Sequence, residues 1–154
     1  MVLWRISKFG SLTGLGAELS SGRWHTVADG KRIVYLAEHP AVALLENLAN
    51  LGAPPEILPD TFQLLRITGP DATSVDELTV TQLTSIQSDE LTFTQSIGDA
   101  WLRSQSSALL RVPSIPSPES WNYLLNPLHS GASQLRVEWA KHITYDRRLF
   151  HLSR

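Results

Sequence analysis

Apolar residues recur at every second position in several short stretches of the chain and at helical spacing in two others. Val2 to Ser7 alternates in this way and predicts a first strand, with Leu3, Arg5 and Ser7 sharing one face. Gly10 to Gly22 is rich in glycine and serine and predicts a long loop of the kind that often serves function. Arg23–Val27 and Lys31–Ala37 read as a strand pair turning at Asp29-Gly30, which suits a tight hairpin. A helix follows, with Pro40 in its first turn and an apolar stripe of Ala41, Leu44, Leu45, Leu48 and Leu51. Gly52 suits its C-terminal cap, and Pro54-Pro55 prevents continuation. Glu46 falls off the leucine stripe, beside Val42 and Ala49.

Phe62 to Thr68 predicts another strand, and Thr79 to Ile86 a strand or an irregular connection. Thr94 is a candidate cap for a second helix with Ile97, Ala100 and Trp101 on one face. Ala108 to Val112 has the apolar continuity of a buried strand, and Pro113, Pro116 and Pro118 then mark an extended loop. Trp121–Leu125 and Leu135–Ala140 read as the last strands. Many short strands with few helices predict an α+β domain.

Composition narrows the picture. A chain of 154 residues suits one domain, residues 1–154. An apolar fraction of 42% and a charged fraction of 18% are those of a globular protein. No apolar run reaches transmembrane length, and the N-terminal stretch lacks the apolar core of a secretory signal. The absence of cysteine removes disulfides, thiolate nucleophiles and cysteine-ligated zinc, and fits a cytoplasmic location. A net charge of −2 gives no electrostatic reason to expect nucleic acid.

Familiar catalytic signatures are missing. Gly14 and Gly16 form G-x-G, but Leu19 occupies the third position of the dinucleotide fingerprint. There is no P-loop and no G-x-S-x-G, and the five histidines give no H-x-x-x-H pair, so no metal site is expected. What stands out is a series of polar residues in apolar or glycine-rich settings: Arg23, Tyr35, Glu46, Ser114 and Asn126-Pro127. Each also fits an ordinary structural role. Arg23 can stack on Trp24, Tyr35 suits a half-buried strand, Ser114 can cap a turn, and Asn-Pro initiates turns. On periodicity alone, Glu46 belongs to the solvated edge of its helix.

Taken in order, Gly22-Arg23-Trp24-His25, Val34-Tyr35-Leu36-Ala37-Glu38 and Ala43-Leu44-Leu45-Glu46 resemble the opening half of the RES domain. Leu3-Trp4-Arg5-Ile6, Val112-Pro113-Ser114, Asn122 through Pro127 with His129, and Tyr145 through Leu149 extend the resemblance over nearly the whole chain. Ser21 and His25 depart from the family's Gly-Gly-Arg-Trp-Asn, and residues 54–107 match no recognised block. Ser114 is the favoured counterpart of the family's serine, with Ser130 as a rival.

The resemblance implies an ADP-ribosyltransferase-like fold and a bacterial toxin paired with an Xre-type antitoxin. It also implies NAD as substrate rather than cofactor, cleaved at the nicotinamide–ribose bond with inorganic phosphate or water as acceptor. Modification of a protein by ADP-ribose, or a non-catalytic partner-binding domain, are the alternatives. On this basis Glu46 steadies the ribose, where positive charge develops as nicotinamide leaves. Arg23, ahead of Arg5, holds the pyrophosphate through its planar fork. Tyr35 stacks on the cationic ring, and Ser114 orients a ribose hydroxyl or the nicotinamide amide.

Overall fold

The computed structural model describes residues 1–52, 57–86 and 90–150; Pro54-Pro55 lies outside them. Among the described residues seven strands form one sheet: β1 (Val2–Ile6), β2 (Val34–Ala37), β3 (Thr61–Thr68), β4 (Val75–Glu77), β5 (Leu109–Pro113), β6 (Trp121–Leu125) and β7 (Arg136–Thr144). Their order is β4-β5-β6-β2-β1-β3-β7, antiparallel throughout except for β4 against β5. Among the described residues three helices accompany the sheet: α1 (Pro40–Asn50), α2 (Val80–Thr84) and α3 (Leu91–Ser104). The architecture is α+β, as the pattern predicts. No helix among the described residues is long and apolar enough to cross a membrane.

The middle of the sheet is its weakest seam. β1 runs beside β3 over its full length, Val2 opposite Thr68 through Ile6 opposite Leu64, yet it meets β2 only at Trp4–Ala37. Continuing that register would set Arg5 against Leu36 and Ile6 against Tyr35, and there the ladder is absent. The two strands part, dividing a four-stranded half from a three-stranded half. Helix α1 bridges the seam, because Val42 and Ala43 pack on Ala37 of β2 and on Trp4 and Ile6 of β1.

Alternation along the strands separates two cores. On the helical face, Trp101 and Leu102 of α3 join Trp24, Ile33, Leu110, Val112 and Leu124. On the other face, Leu3, Val34, Leu36, Leu65, Ile67, Leu109 and Leu125 are covered by Ala132 and Leu135, from and beside the 3-10 turn Ser130–Gln134. A bulge between Arg66 and Ile67 leaves Glu138 of β7 unpaired in the ladder, and its carboxylate binds Arg66 instead.

Several expectations are corrected. Arg23–Val27 is not a strand. It closes only a small bridge between Gly22 and His25, and β2, shorter than Lys31–Ala37, pairs with β1 and β6. Asp29-Gly30 does turn, with Gly30 left-handed at φ 73°, but no hairpin follows from it. Helix α1 begins at Pro40 and ends before a left-handed Gly52, as the punctuation predicts, but its buried residues are Val42 and Ala43. Ala41 and Leu45 of the expected stripe face solvent. The segment 79–86 holds helix α2, closed by a reciprocal capping box between Thr79 and Gln82. Thr94 does not cap α3, which starts at Leu91; it lies buried one turn inside, while Ala100 is exposed. The final strand is longer than Leu135–Ala140, and β4 has too few residues to show a period.

Candidate active site

Glu46 stands one helical turn beyond Val42, so it shares the sheet-facing side of α1 rather than the solvated edge. Its Oε1 accepts two hydrogen bonds, from Ser114 Oγ at 2.7 Å and from Asn122 Nδ2 at 2.5 Å. Ser114 follows β5 and Asn122 lies within β6, opposite Ala37 and Val112; both are buried. The loop between them is held by the Ser114 amide donating to the Ser120 carbonyl at 2.9 Å. No hydrogen bond occupies Oε2 among the described residues. The carboxylate is therefore fixed through one oxygen and open at the other.

Tyr35 lies two residues before Ala37 in β2 and takes the same face. Its hydroxyl accepts the Trp24 amide at 3.0 Å and lies 2.8 Å from His25 Nδ1. His25 Nε2 is 2.9 Å from the Ser20 carbonyl, which can only accept, so Nε2 carries the proton. Nδ1 is then the acceptor and Tyr35 the donor. Burial pushes the Tyr35 hydroxyl well above its ordinary value, and the Trp24 bond and the Arg23 charge only partly oppose it. Burial likewise lowers the His25 pKa. Both groups are held neutral. Because the hydroxyl is fully engaged, what Tyr35 can offer a ligand is its ring face.

Arg23 rides on this pinned loop, near enough for its charge to act on Tyr35. Gly22 admits nothing larger, since a Cβ would lie 2.5 Å from the Tyr35 hydroxyl. Arg5 alternates with Trp4 and Ile6 and leaves β1 on the opposite face, at the opening between β1 and β2. Its guanidinium donates to the Ser11 carbonyl at 2.9 Å, and burial lowers its pKa. Ser130, the rival serine, is exposed at the head of a 3-10 turn.

The structure thus joins Glu46 to Ser114 directly, groups Arg23 with Tyr35 on the same sheet face, and sets Arg5 across the seam. Sequence reasoning missed Asn122, whose signal is a lone amide inside the apolar strand Trp121–Leu125. It missed His25 as the partner of Tyr35, and it gave α3 no role. Asn126 Oδ1 accepts the Leu128 amide at 3.1 Å in an Asx turn around Pro127, while its buried Nδ2 has no hydrogen-bond partner among the described residues. Among the described residues, no three His, Asp or Glu side chains are grouped to hold a metal.

Known proteins share this arrangement of sequence and fold. A family model described as the RES domain matches residues 2–148. A protein of Pseudomonas putida named Toxin Res is 41% identical over 150 residues, covering 97% of this chain and all of the relative. A Sphingobium protein named Prs ADP-ribosylating toxin is 36% identical, covering 90% of this chain and 86% of its own. Among solved structures, a chain of the M. tuberculosis MbcT–MbcA toxin–antitoxin complex superposes with a TM-score of 0.75 at 19% identity. That match covers 97% of this chain and 86% of the other, and it supports the fold.

Proposed function

The chain belongs to the RES-domain family of toxins, and from that premise we propose that it cleaves the nicotinamide–ribose bond of NAD. The observation that carries the reading is the half-buried Glu46 carboxylate, fixed through Oε1 by Ser114 and Asn122 and open at Oε2. Nicotinamide departs as a neutral ring, taking the bonding electron pair, and the ribose carbon is left with oxocarbenium character. A carboxylate already oriented before the charge appears stabilises that state without reorganising. Oε2 is the oxygen that holds a ribose hydroxyl or faces the developing cation. Water then adds to give ADP-ribose and a proton, or inorganic phosphate adds to give ADP-ribose phosphate.

The other residues take roles consistent with their bonds. Ser114 spends its proton on Glu46, so toward substrate it accepts, from a ribose hydroxyl or the nicotinamide amide. The Tyr35 ring stacks on the cationic pyridinium, and Arg23 binds pyrophosphate oxygens, with Arg5 reaching them from the other face through the opening between β1 and β2. The proposed partners are NAD, inorganic phosphate and an Xre-type antitoxin, in the cytoplasm. A second reading, transfer of ADP-ribose to a protein, is favoured by the name of the Sphingobium relative.

The test is to incubate purified protein with NAD, with and without phosphate, and to resolve the products by chromatography with mass detection. Glu46→Gln should lower turnover by about a hundredfold or more, as loss of a transition-state partner does. ADP-ribose phosphate formed only with added phosphate marks phosphorolysis. ADP-ribose found on protein marks transfer. A folded Glu46→Gln variant with full turnover would remove Glu46 from the mechanism.

A further inference from the structure

Helix α3 lies in the stretch for which the sequence suggests no role, yet its polar residues converge on the loop that carries Arg23. Thr94 Oγ donates to the carbonyl of Arg23 itself at 2.6 Å, and Gln95 Nε2 donates to the Gly22 carbonyl at 2.9 Å. Asp99 accepts the Thr26 amide at 3.2 Å and the Thr26 hydroxyl at 2.6 Å, and it pairs with Lys31 at 2.9 Å. Burial opposes the Asp99 charge, but Lys31 and Thr26 outweigh it and hold the carboxyl below its ordinary range. Between these contacts Gly98 lets the backbones touch, since a Cβ there would lie 1.8 Å from the Trp24 carbonyl oxygen. From the other side the Tyr35 hydroxyl takes the Trp24 amide.

We infer that α3 is the positioning element of the Arg23 loop: Thr94, Gln95 and Asp99 fix the backbone on either side of Arg23 and so aim its guanidinium. The inference rests on the reading that Arg23 holds the pyrophosphate. Residues 94, 95, 98 and 99 form one face of the helix, and that face meets Gly22, Arg23, Trp24 and Thr26 in turn. A docking surface meant only to bury α3 has its apolar anchors already, in Trp101 and Leu102. The polar face does something else. It orders an arginine loop in advance, so that little conformational freedom remains to be lost when a ligand binds. The pyrophosphate is remote from the bond that breaks, so a loosened Arg23 weakens ground state and transition state alike. Such a change raises KM and leaves kcat nearly untouched.

The experiment uses Thr94→Val, which keeps shape and removes the hydroxyl, and Gln95→Met, which lies at a half-exposed site. Thr92→Val, exposed on the same helix, is the control. Each is made in the wild-type and in the Arg23→Ala background. NAD turnover, ADP-ribose binding by calorimetry, and amide exchange across residues 22–27 are measured. Thr94→Val and Gln95→Met should raise KM for NAD and Kd for ADP-ribose about tenfold, near 1.4 kcal/mol. They should leave kcat within about threefold and speed exchange at Trp24 and Thr26. In the Arg23→Ala background the effect on KM should vanish, the signature of action through Arg23. Full additivity with Arg23→Ala, or faster loop exchange at unchanged KM, would overturn the inference. If Thr94→Val fails to fold, Gln95→Met carries the same comparison. Wild-type protein that neither binds ADP-ribose nor consumes NAD would overturn the functional reading instead. Exchange at Trp24 and Thr26 would then still decide whether α3 holds the loop, unchanged rates in Gln95→Met counting against it.

Discussion

The Tyr35 hydroxyl has one proton to give, and His25 Nδ1 is the group that receives it. That acceptor exists only while His25 is neutral, and burial keeps its pKa below the ordinary histidine value. A group with a lowered folded-state pKa stabilises the fold fully above its unfolded value. The contribution is lost as pH falls from about 6.5 through the folded value. Melting temperature should therefore drop between pH 7 and 5, and His25→Asn should flatten that part of the profile. A wild-type profile flat over this range would show that His25 takes up its proton equally in the folded and unfolded states. At the same scale, Ser114→Ala removes a donor to Glu46 and should cost about tenfold in turnover. Ser130→Ala, at an exposed turn, should stay within about twofold. Assayed side by side, the two variants decide between the rival serines. The sequence made Glu46, Ser114, Arg23 and Tyr35 candidates through their ordered resemblance to a family. Who bonds to whom was not legible, because Glu46 and Asn122 come from distant parts of the chain.

At the scale of elements, α1 shows how a correct helix can carry an incorrect face. The leucines form the more conspicuous stripe, but the side of the helix that meets Ala37, Trp4 and Ile6 is the one that carries Val42 and Ala43. Leu45 remains 40% exposed. Val42→Ala should cost about 2 kcal/mol in unfolding free energy, whereas Leu45→Ala should change it by roughly 0.5 kcal/mol or less. Chemical denaturation of both variants checks the assignment; the reverse order would restore the leucine face. Helix α2 was legible in principle, through the T-x-x-Q signature that becomes the Thr79–Gln82 capping box. For α3, a polar residue that binds a distant backbone carbonyl looks, in sequence, like a helix cap. Gly98→Ala forces α3 away from the Trp24 carbonyl and should destabilise by about 3 kcal/mol.

The whole molecule is organised around the place where β1 and β2 separate after Trp4–Ala37. Strand positions were readable for β1 from alternation and for β5 from its unbroken apolar run, since β5, like β6, has a core on each face. Their neighbours were not, because a period of two says which face is buried and nothing about which strand lies alongside. The false hairpin at Asp29-Gly30 is the clearest instance: its turn is real, and the strand it should have joined instead bends into the Arg23 loop.

The sheet order also sets when, during synthesis, the fold can close. β3 emerges from the ribosome long before β7, its partner from Thr61–Thr144 to Thr68–Arg136, and until then it offers an open edge. Glu46 likewise waits for Ser114 and Asn122 to appear before its carboxylate is fixed. A chain interrupted before Ser114 would lack both donors to Glu46, and one interrupted before β7 would leave the β3 edge unpaired.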